Sequence, residues 1–221
     1  MHSHFLRFIG LYVYRSSNAY ATWIILLINI LVFLIVRINP EIIIDLATIP
    51  VLTLTMTQPY RLLTSMFTHY DPIHLFFNMF ALLIFTPEIE KVLGKPRFLT
   101  LYFTCGVAAA IFHAYYIYFL FPVRTLLTSP AIGASGAIYG VMAAYGILFP
   151  HRRLVVFIGF PIIAPAIIVI IVLALIQTLY ALFAPFSQVA YAAHIGGFLT
   201  GLLITLIYKP GLRRIPETFL V

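Results

Sequence analysis

The sequence predicts an all-α membrane protein with six transmembrane helices, and three observations support this fold class. Of the 221 residues, 63% are hydrophobic and only 9% are charged, whereas soluble domains carry about 25% charged residues. The mean hydropathy is +1.08. Apolar stretches recur along the whole chain at lengths near the roughly 20 residues of one membrane crossing. The length leaves room for short loops but for no sizeable domain outside the membrane.

Breaker residues and charges set the limits of the first three spans. Residues 38–71 contain too many prolines and charges to cross, yet they are apolar enough to lie in the membrane interface. The second span starts at Asp71-Pro72, a capping carboxylate followed by proline at the first helical position. A charged turn at 88–97 separates the second span from the third.

The six predicted spans are residues 21–36, 71–86, 98–121, 135–149, 156–182 and 191–208.

The last three spans are bounded in the same way. The fourth begins near Ser135 and ends before Pro150, and the fifth is interrupted early by Pro161 and Pro165. The sixth is closed by Lys209 and a following proline. Each of these prolines removes a backbone N–H and disfavours continuation of a helix.

The distribution of basic residues predicts the orientation of the chain. With the N-terminus inside, ten of the 13 Lys and Arg residues lie on the inner side, as the positive-inside rule requires. The net charge of +7 is therefore explained by orientation rather than by nucleic-acid binding. We expect a cytoplasmic N-terminus (1–20), a membrane domain (21–208) and a cytoplasmic tail (209–221), most simply in the cell membrane.

The fourth span is short, and its shortness determines where Ser135 lies. A helix from Ser135 to Phe149 is about 22 Å long, against a hydrocarbon core of about 30 Å. If its C-terminal end lies at the inner surface, Ser135 lies inside the membrane, near the outer side. Irregular backbone at that depth is tolerated only if it is shielded or lines a water-filled cavity. The sequence therefore predicts a cavity, open to the outside, with Ser135 at its floor.

His194 lies at a similar depth near the outer end of the sixth span. Small-residue faces allow two membrane helices to approach closely. These faces comprise Gly136 and Gly140 on the fourth helix, and Gly197 and Gly201 on the sixth. We therefore expect Ser135 and His194 to meet, which is the minimum arrangement for an activated serine nucleophile.

Further polar residues point to the same region. His74 and Asn78 are four residues apart and share one face of the second helix, where they could stabilise an oxyanion. Tyr139, one turn below Ser135, is placed to pack against the ring of His194. None of the six carboxylates lies near His194 in sequence, which favours a Ser/His dyad. Gln177 is expected to form an interhelical hydrogen bond.

Each of these residues also has a purely structural interpretation. Ser135 alone is more often a packing residue, and His74 and Asn78 could satisfy each other. A polar cavity at a broken helix also fits a transporter or channel for a small solute, and a non-catalytic binder of membrane helices is a weaker alternative. The single cysteine, Cys105, excludes an intrachain disulfide and a cysteine metal cage.

The combined motifs resemble those of the rhomboid intramembrane serine proteases over about residues 20–208. The family's Gly-x-Ser-Gly motif is similar to Gly133-Ala134-Ser135-Gly136, and its histidine followed by small residues is similar to His194-Ile195-Gly196-Gly197. His74 to Asn78 resembles its His-x-x-x-Asn motif, and Glu90 to Gly94 its acidic residue and glycine. One departure is Tyr60-Arg61, where many members have Trp-Arg.

The resemblance implies a Ser135/His194 dyad, an oxyanion site with His74 and Asn78, and a supporting role for Tyr139. Gly133, Gly136 and Gly197 would support the site through the backbone. It also implies an outer loop lying in the membrane and a fifth helix that acts as a lateral gate. The substrates would be transmembrane or juxtamembrane segments of membrane proteins, and no cofactor or metal is implied.

Overall fold

The computed structural model describes residues 18–157 and 159–211, and this part of the chain is mostly helical. Single 3₁₀ turns occupy Ser65–Phe67 and Lys209–Gly211. The other elements, in chain order, are α1 (Tyr20–Ile38), α2 (Ile42–Leu46), α3 (Pro50–Leu54), α4 (Arg61–Thr64), α5 (Pro72–Leu93), α6 (Lys95–Leu120), α7 (Arg124–Leu127), α8 (Ser135–Leu148), the strands β1 (Arg153–Phe157) and β2 (Pro161–Pro165), α9 (Ala166–Phe183) and α10 (Tyr191–Tyr208).

Five of these helices, α1, α5, α6, α9 and α10, are long and apolar enough to cross a membrane. The remaining apolar helix, α8, has only 14 residues. All the predicted spans except the fourth therefore correspond to helices of spanning length. The last predicted span, 191–208, has the same bounds as α10. The crossing of α8 and its start inside the membrane stay predictions.

Helix α5 begins as the sequence predicts but ends later. The carboxylate of Asp71 accepts hydrogen bonds from the backbone N–H groups of Ile73 (2.7 Å) and His74 (2.8 Å), which caps the first turn. The predicted end near Thr86 is wrong, because the helix continues through Pro87 to Leu93. The predicted charged turn at 88–97 is accordingly reduced to a junction at Gly94, which has a φ of 77°.

Tertiary contacts explain why the helix continues through acidic residues. Glu90 is buried, and its carboxylate accepts hydrogen bonds from the N–H groups of Ala21 (2.9 Å) and Thr22 (2.8 Å) and from the hydroxyl of Thr22 (2.9 Å). The first N–H groups of α1 are thus satisfied by another helix rather than by a local cap. Glu88 is also buried and lies 3.0 Å from Arg152, as an ion pair, and 3.1 Å from the hydroxyl of Tyr145.

The loop between α1 and α5 is held together by Arg61. This side chain is buried, and its guanidinium donates to the backbone carbonyls of Ile44 and Ala47 and to the amide oxygen of Gln58. The loop contacts the segment before α8, because Thr48 and Ala131 form an antiparallel bridge. The loop therefore helps to hold the backbone that leads into Ser135.

The predicted fifth span is wrong at its beginning. Instead of a helix from Val156, the chain forms an antiparallel hairpin in which Arg153 pairs with Pro165, and α9 starts only at Ala166. Residues with β-branched side chains favour strands, and prolines are compatible with the end of a strand and the start of a helix. The all-α prediction holds apart from this hairpin.

Helix α8 packs closely against α6 and α10 through the predicted small-residue faces. A Cβ atom added at Gly197 would overlap the carbonyl oxygen of Gly136, and one added at Gly201 would overlap that of Gly140. Gly140 also faces Cys105 of α6, which is fully buried. Backbone contact at these glycines brings the first turn of α8 beside the first turn of α10.

Candidate active site

Ser135 is the first residue of α8, and Gly133 lies two residues before it. Gly133 has a φ of 118°, a conformation that side-chain-bearing residues rarely adopt. Its N–H donates to the carbonyl oxygen of Ser65 at 2.9 Å. A Cβ atom at Gly133 would lie only 2.8 Å from Nε2 of His74. Glycine is thus required here by both backbone conformation and space.

The side chains of Ser135 and His194 are in direct contact, as the helix faces predict. Oγ of Ser135 lies 2.7 Å from Nε2 of His194, within hydrogen-bond distance. His194 is buried in the first turn of α10, whereas Ser135 is only half-buried. A serine hydroxyl paired with an imidazole nitrogen in this way can lose its proton as it attacks a carbonyl carbon.

Tyr139 packs against the ring of His194, also as predicted. The two rings are stacked with centroids 4.5 Å apart and an interplanar angle of 8°. Tyr191, which precedes His194 by almost one turn, contacts the imidazole edge-on at 6.1 Å. The orientation of the imidazole is therefore restricted by aromatic contacts from both α8 and α10.

Gln177 of α9 contacts the second nitrogen of the same imidazole. Oε1 of Gln177 lies 2.6 Å from Nδ1 of His194. The expected interhelical hydrogen bond of Gln177 is thus present, but the sequence did not identify its partner. The signal was a long polar side chain within an otherwise apolar span, and such residues usually have a functional or structural partner in a membrane.

His74 of α5 lies close to Ser135. Nε2 of His74 and Oγ of Ser135 both lie within 4 Å of the Cβ position of Gly133. Nδ1 of His74 accepts a long hydrogen bond of 3.5 Å from the N–H of Tyr70. Because Nδ1 of His74 accepts this bond, it carries no proton, and the proton of the neutral ring lies on Nε2. His74 would therefore present an N–H group to the space near Ser135.

Asn78 is buried one turn below His74 on α5. Its amide nitrogen donates to the backbone carbonyl of His74 at 2.9 Å, which leaves one further N–H on the same nitrogen. Within the described residues, Oδ1 of Asn78 has no hydrogen-bond partner. The structure thus holds Asn78 close to His74, and its action on a substrate stays a prediction.

His69 packs behind His74, although it precedes α5. The two rings meet edge-on with centroids 4.9 Å apart, and His69 is fully buried. His69 is therefore a packed side chain and not a solvated loop residue. Burial, with a smaller contribution from His74, lowers the pKa of His69 to about 3. His69 is thus neutral at physiological pH and supports His74 as a packing partner.

The carboxylates with described contacts are engaged away from His194. Asp71 caps α5, Asp45 lies near Arg61, and the two buried glutamates of α5 bind α1 and Arg152. Among residues 18–157 and 159–211, no group of three His, Cys, Asp or Glu side chains is arranged to hold a metal ion. The acceptor at Nδ1 of His194 is an amide and not a carboxylate.

Comparison with known proteins shows the family to which the chain is similar. A family model described as "Rhomboid domain" matches residues 56–211. The chain is 30% identical over 148 residues to "Rhomboid protein 1, mitochondrial" of Saccharomyces cerevisiae, an alignment that covers 67% of this chain and 41% of that protein. It is 34% identical over 166 residues to "Rhomboid protease AarA" of Providencia stuartii, covering 67% of this chain and 56% of that protein. The chain spans about half the length of these curated relatives.

The matched segment includes every residue of the candidate site described above. It also includes four of the five helices that are long and apolar enough to span a membrane. The molecule is an integral, multi-pass membrane protein, and the chain belongs to the rhomboid family.

Proposed function

We propose that the protein is an intramembrane serine endopeptidase that uses Ser135 and His194 as a catalytic dyad. The observation that carries the proposal is the 2.7 Å contact between Oγ of Ser135 and Nε2 of His194. Its support comes from the stacked Tyr139, from the acceptor at Nδ1, and from the family to which the chain belongs. The substrates are transmembrane or juxtamembrane segments of other membrane proteins.

The reaction is an acyl transfer in two steps. Oγ of Ser135 attacks the carbonyl carbon of a peptide bond while Nε2 of His194 accepts the hydroxyl proton. The tetrahedral intermediate collapses, the C–N bond breaks, and His194 returns the proton to the leaving amine. In the second step, water adds to the acyl-enzyme while His194 accepts a proton from it. The C–O bond to Ser135 then breaks, His194 returns the proton to Oγ, and the product acid is released.

The negative charge on the tetrahedral oxygen needs donors on the other side of Ser135. His74 supplies its Nε2–H group. Asn78 supplies the second N–H of its amide, because the first donates to the backbone carbonyl of His74. The backbone N–H of Ser135 lies at a helix N-terminus, where the dipole also favours negative charge. Gly133, Gly136 and Gly197 keep this arrangement compact, because side chains at these positions would displace it.

The orientation that follows from basic residues completes the proposal. Both the N-terminal segment (1–20) and the C-terminal tail (209–221) lie in the cytoplasm, and the cavity above Ser135 opens to the opposite side. Ser135 then lies below the membrane surface, because α8 is shorter than the hydrocarbon core. We assign the protein to the cell membrane, and the similarity to a mitochondrial relative makes an organellar membrane the alternative.

The competing transporter hypothesis requires polar groups at the N-terminus of α8 that are free to bind a solute. Instead, Ser135 is hydrogen-bonded to His194, and the backbone at Gly133 lies directly against the ring of His74. These contacts suit a reacting group more than a solute-binding space. The protease hypothesis is therefore the one that the geometry favours.

A serine-directed fluorophosphonate probe tests the nucleophile in the purified protein. We expect Ser135 to be labelled in the wild type, and labelling to be lost in Ser135→Ala. Ser129→Ala is the matched control, since Ser129 lies in an exposed loop and donates to the carbonyl of Thr125. Labelling of Ser135→Ala at the wild-type level would exclude Ser135 as the nucleophile.

Cleavage of a membrane-spanning reporter in proteoliposomes tests the reaction. We expect His194→Ala to abolish cleavage while the helical circular dichroism spectrum stays that of the wild type. Removal of a general base typically lowers the rate by a factor of about 10²–10⁴. A His194→Ala variant with full activity would contradict the dyad.

A further inference from the structure

We propose that Gln177 is the positioning residue for His194 and holds the catalytic imidazole in its reactive tautomer. The inference rests on the proposed Ser135/His194 dyad and extends it to a third side chain. Oε1 of Gln177 lies 2.6 Å from Nδ1 of His194, while Nε2 of the same ring lies 2.7 Å from Oγ of Ser135. Both nitrogens of the imidazole are therefore occupied, one by each neighbouring helix.

An acceptor at Nδ1 determines the state of the other nitrogen. A neutral imidazole has one N–H donor and one bare acceptor nitrogen. With Oε1 of Gln177 as the acceptor, the proton resides on Nδ1 and Nε2 is left with its lone pair. That is the tautomer in which Nε2 can accept the proton of Ser135, and the opposite tautomer is inactive as a base.

An amide is suited to this position because the site lies within a span. A carboxylate at the middle of α9 would place a charge in the membrane, which costs several kcal/mol unless it is paired. Gln177 provides the same oxygen acceptor without that charge. It therefore orients the imidazole but adds no ionic stabilisation when the ring becomes protonated.

The first test compares three variants in a proteoliposome cleavage assay. Gln177→Met keeps the length of the side chain but lacks the acceptor, and we expect kcat to fall roughly tenfold with KM nearly unchanged, equivalent to about 1.4 kcal/mol. Gln177→Glu keeps an Oε acceptor but adds a charge within the span, so it should retain more activity than Gln177→Met and less than the wild type. Thr178→Val, at the next position, is the control, because its hydroxyl donates to Ala174 of its own helix. Equal activity of Gln177→Met and the wild type would overturn the proposal.

The second test does not depend on activity. ¹⁵N NMR of histidine-labelled Ser135→Ala protein reports which ring nitrogen of His194 carries the proton, with His194→Gln identifying the signal. We expect protonated Nδ1 with Gln177 present and a mixture of tautomers in Gln177→Met. The same spectrum in both would overturn the positioning role. Failure of the dyad would instead leave this tautomer result intact and appear as unchanged probe labelling of Ser135→Ala.

Discussion

Gly197 of α10 lies directly against the backbone carbonyl of Gly136 in α8, so that no side chain fits between the two helices. The contact is one residue from Ser135 and three residues from His194. The separation of these two backbones therefore sets the distance between the serine hydroxyl and the imidazole. In the membrane, such close packing replaces the hydrophobic driving force between helices.

Gly197→Ala is expected to separate α8 from α10. The added methyl group would overlap the Gly136 carbonyl, and overpacking of this kind costs about 1–3 kcal/mol. We expect a lower unfolding midpoint and loss of most cleavage activity. Gly211→Ala is the control, because its Cβ would have no neighbour within 4 Å. An active Gly197→Ala protein with unchanged stability would contradict the packing.

Glu90→Gln is expected to destabilise the start of α1. The wild-type carboxylate accepts three hydrogen bonds from Ala21 and Thr22, whereas one side of the Gln amide would direct N–H groups at these donors. A buried donor left unsatisfied costs about 1–3 kcal/mol. Chemical unfolding measures the change, and Glu41→Gln, at an exposed position in the loop between α1 and α5, should have no effect. An equal effect of both substitutions would refute the cap between helices.

Tyr139→Phe is expected to keep activity, and Tyr139→Ala is expected to lose part of it. The ring stacks on His194 at 4.5 Å, and such aromatic pairs contribute about 0.5–1.5 kcal/mol, or roughly a threefold to tenfold change in rate. The effect should appear in kcat, because the ring orients the imidazole rather than the substrate. A loss of activity in Tyr139→Phe as large as in Tyr139→Ala would argue against stacking as the cause.

His69 is expected to make the stability of the fold depend on pH. Its pKa is about 3 in the folded protein against an ordinary 6.5, so the unfolded chain binds a proton that the folded protein excludes between these values. Stability is therefore fully present above about pH 6.5 and falls towards pH 3, with a maximal slope of about 1.4 kcal/mol per pH unit.

His69→Gln tests this expectation by unfolding measurements between pH 4 and pH 7. On unfolding in this pH range, the variant should take up one proton fewer than the wild type, so its free energy of unfolding should vary less with pH. His151→Gln, at an exposed position just after the C-terminal end of α8, provides the comparison. An identical pH dependence in His69→Gln and the wild type would show that His69 is hydrated or protonated in the folded state.

Local patterns were sufficient for the elements that are bounded by strong signals. Asp71-Pro72 starts α5, and α10 covers the stretch that its apolar composition predicts. The hairpin at 153–165 was missed because a short run of apolar residues has no periodicity that separates a strand from a buried helix. The extension of α5 through Pro87 was missed because its acidic residues are satisfied by α1 and Arg152, which are distant in sequence.

The class of protein, the order of the helices and the glycine faces that bring Ser135 to His194 follow directly from the amino-acid sequence. These features depend on hydrophobicity and spacing along one chain segment, which are local properties. In contrast, the contact of Gln177 with Nδ1 of His194 and the burial of His69 behind His74 are seen only in the folded protein. Both contacts join elements whose relative rotation is set by packing across the whole bundle, and no spacing within a single helix encodes it.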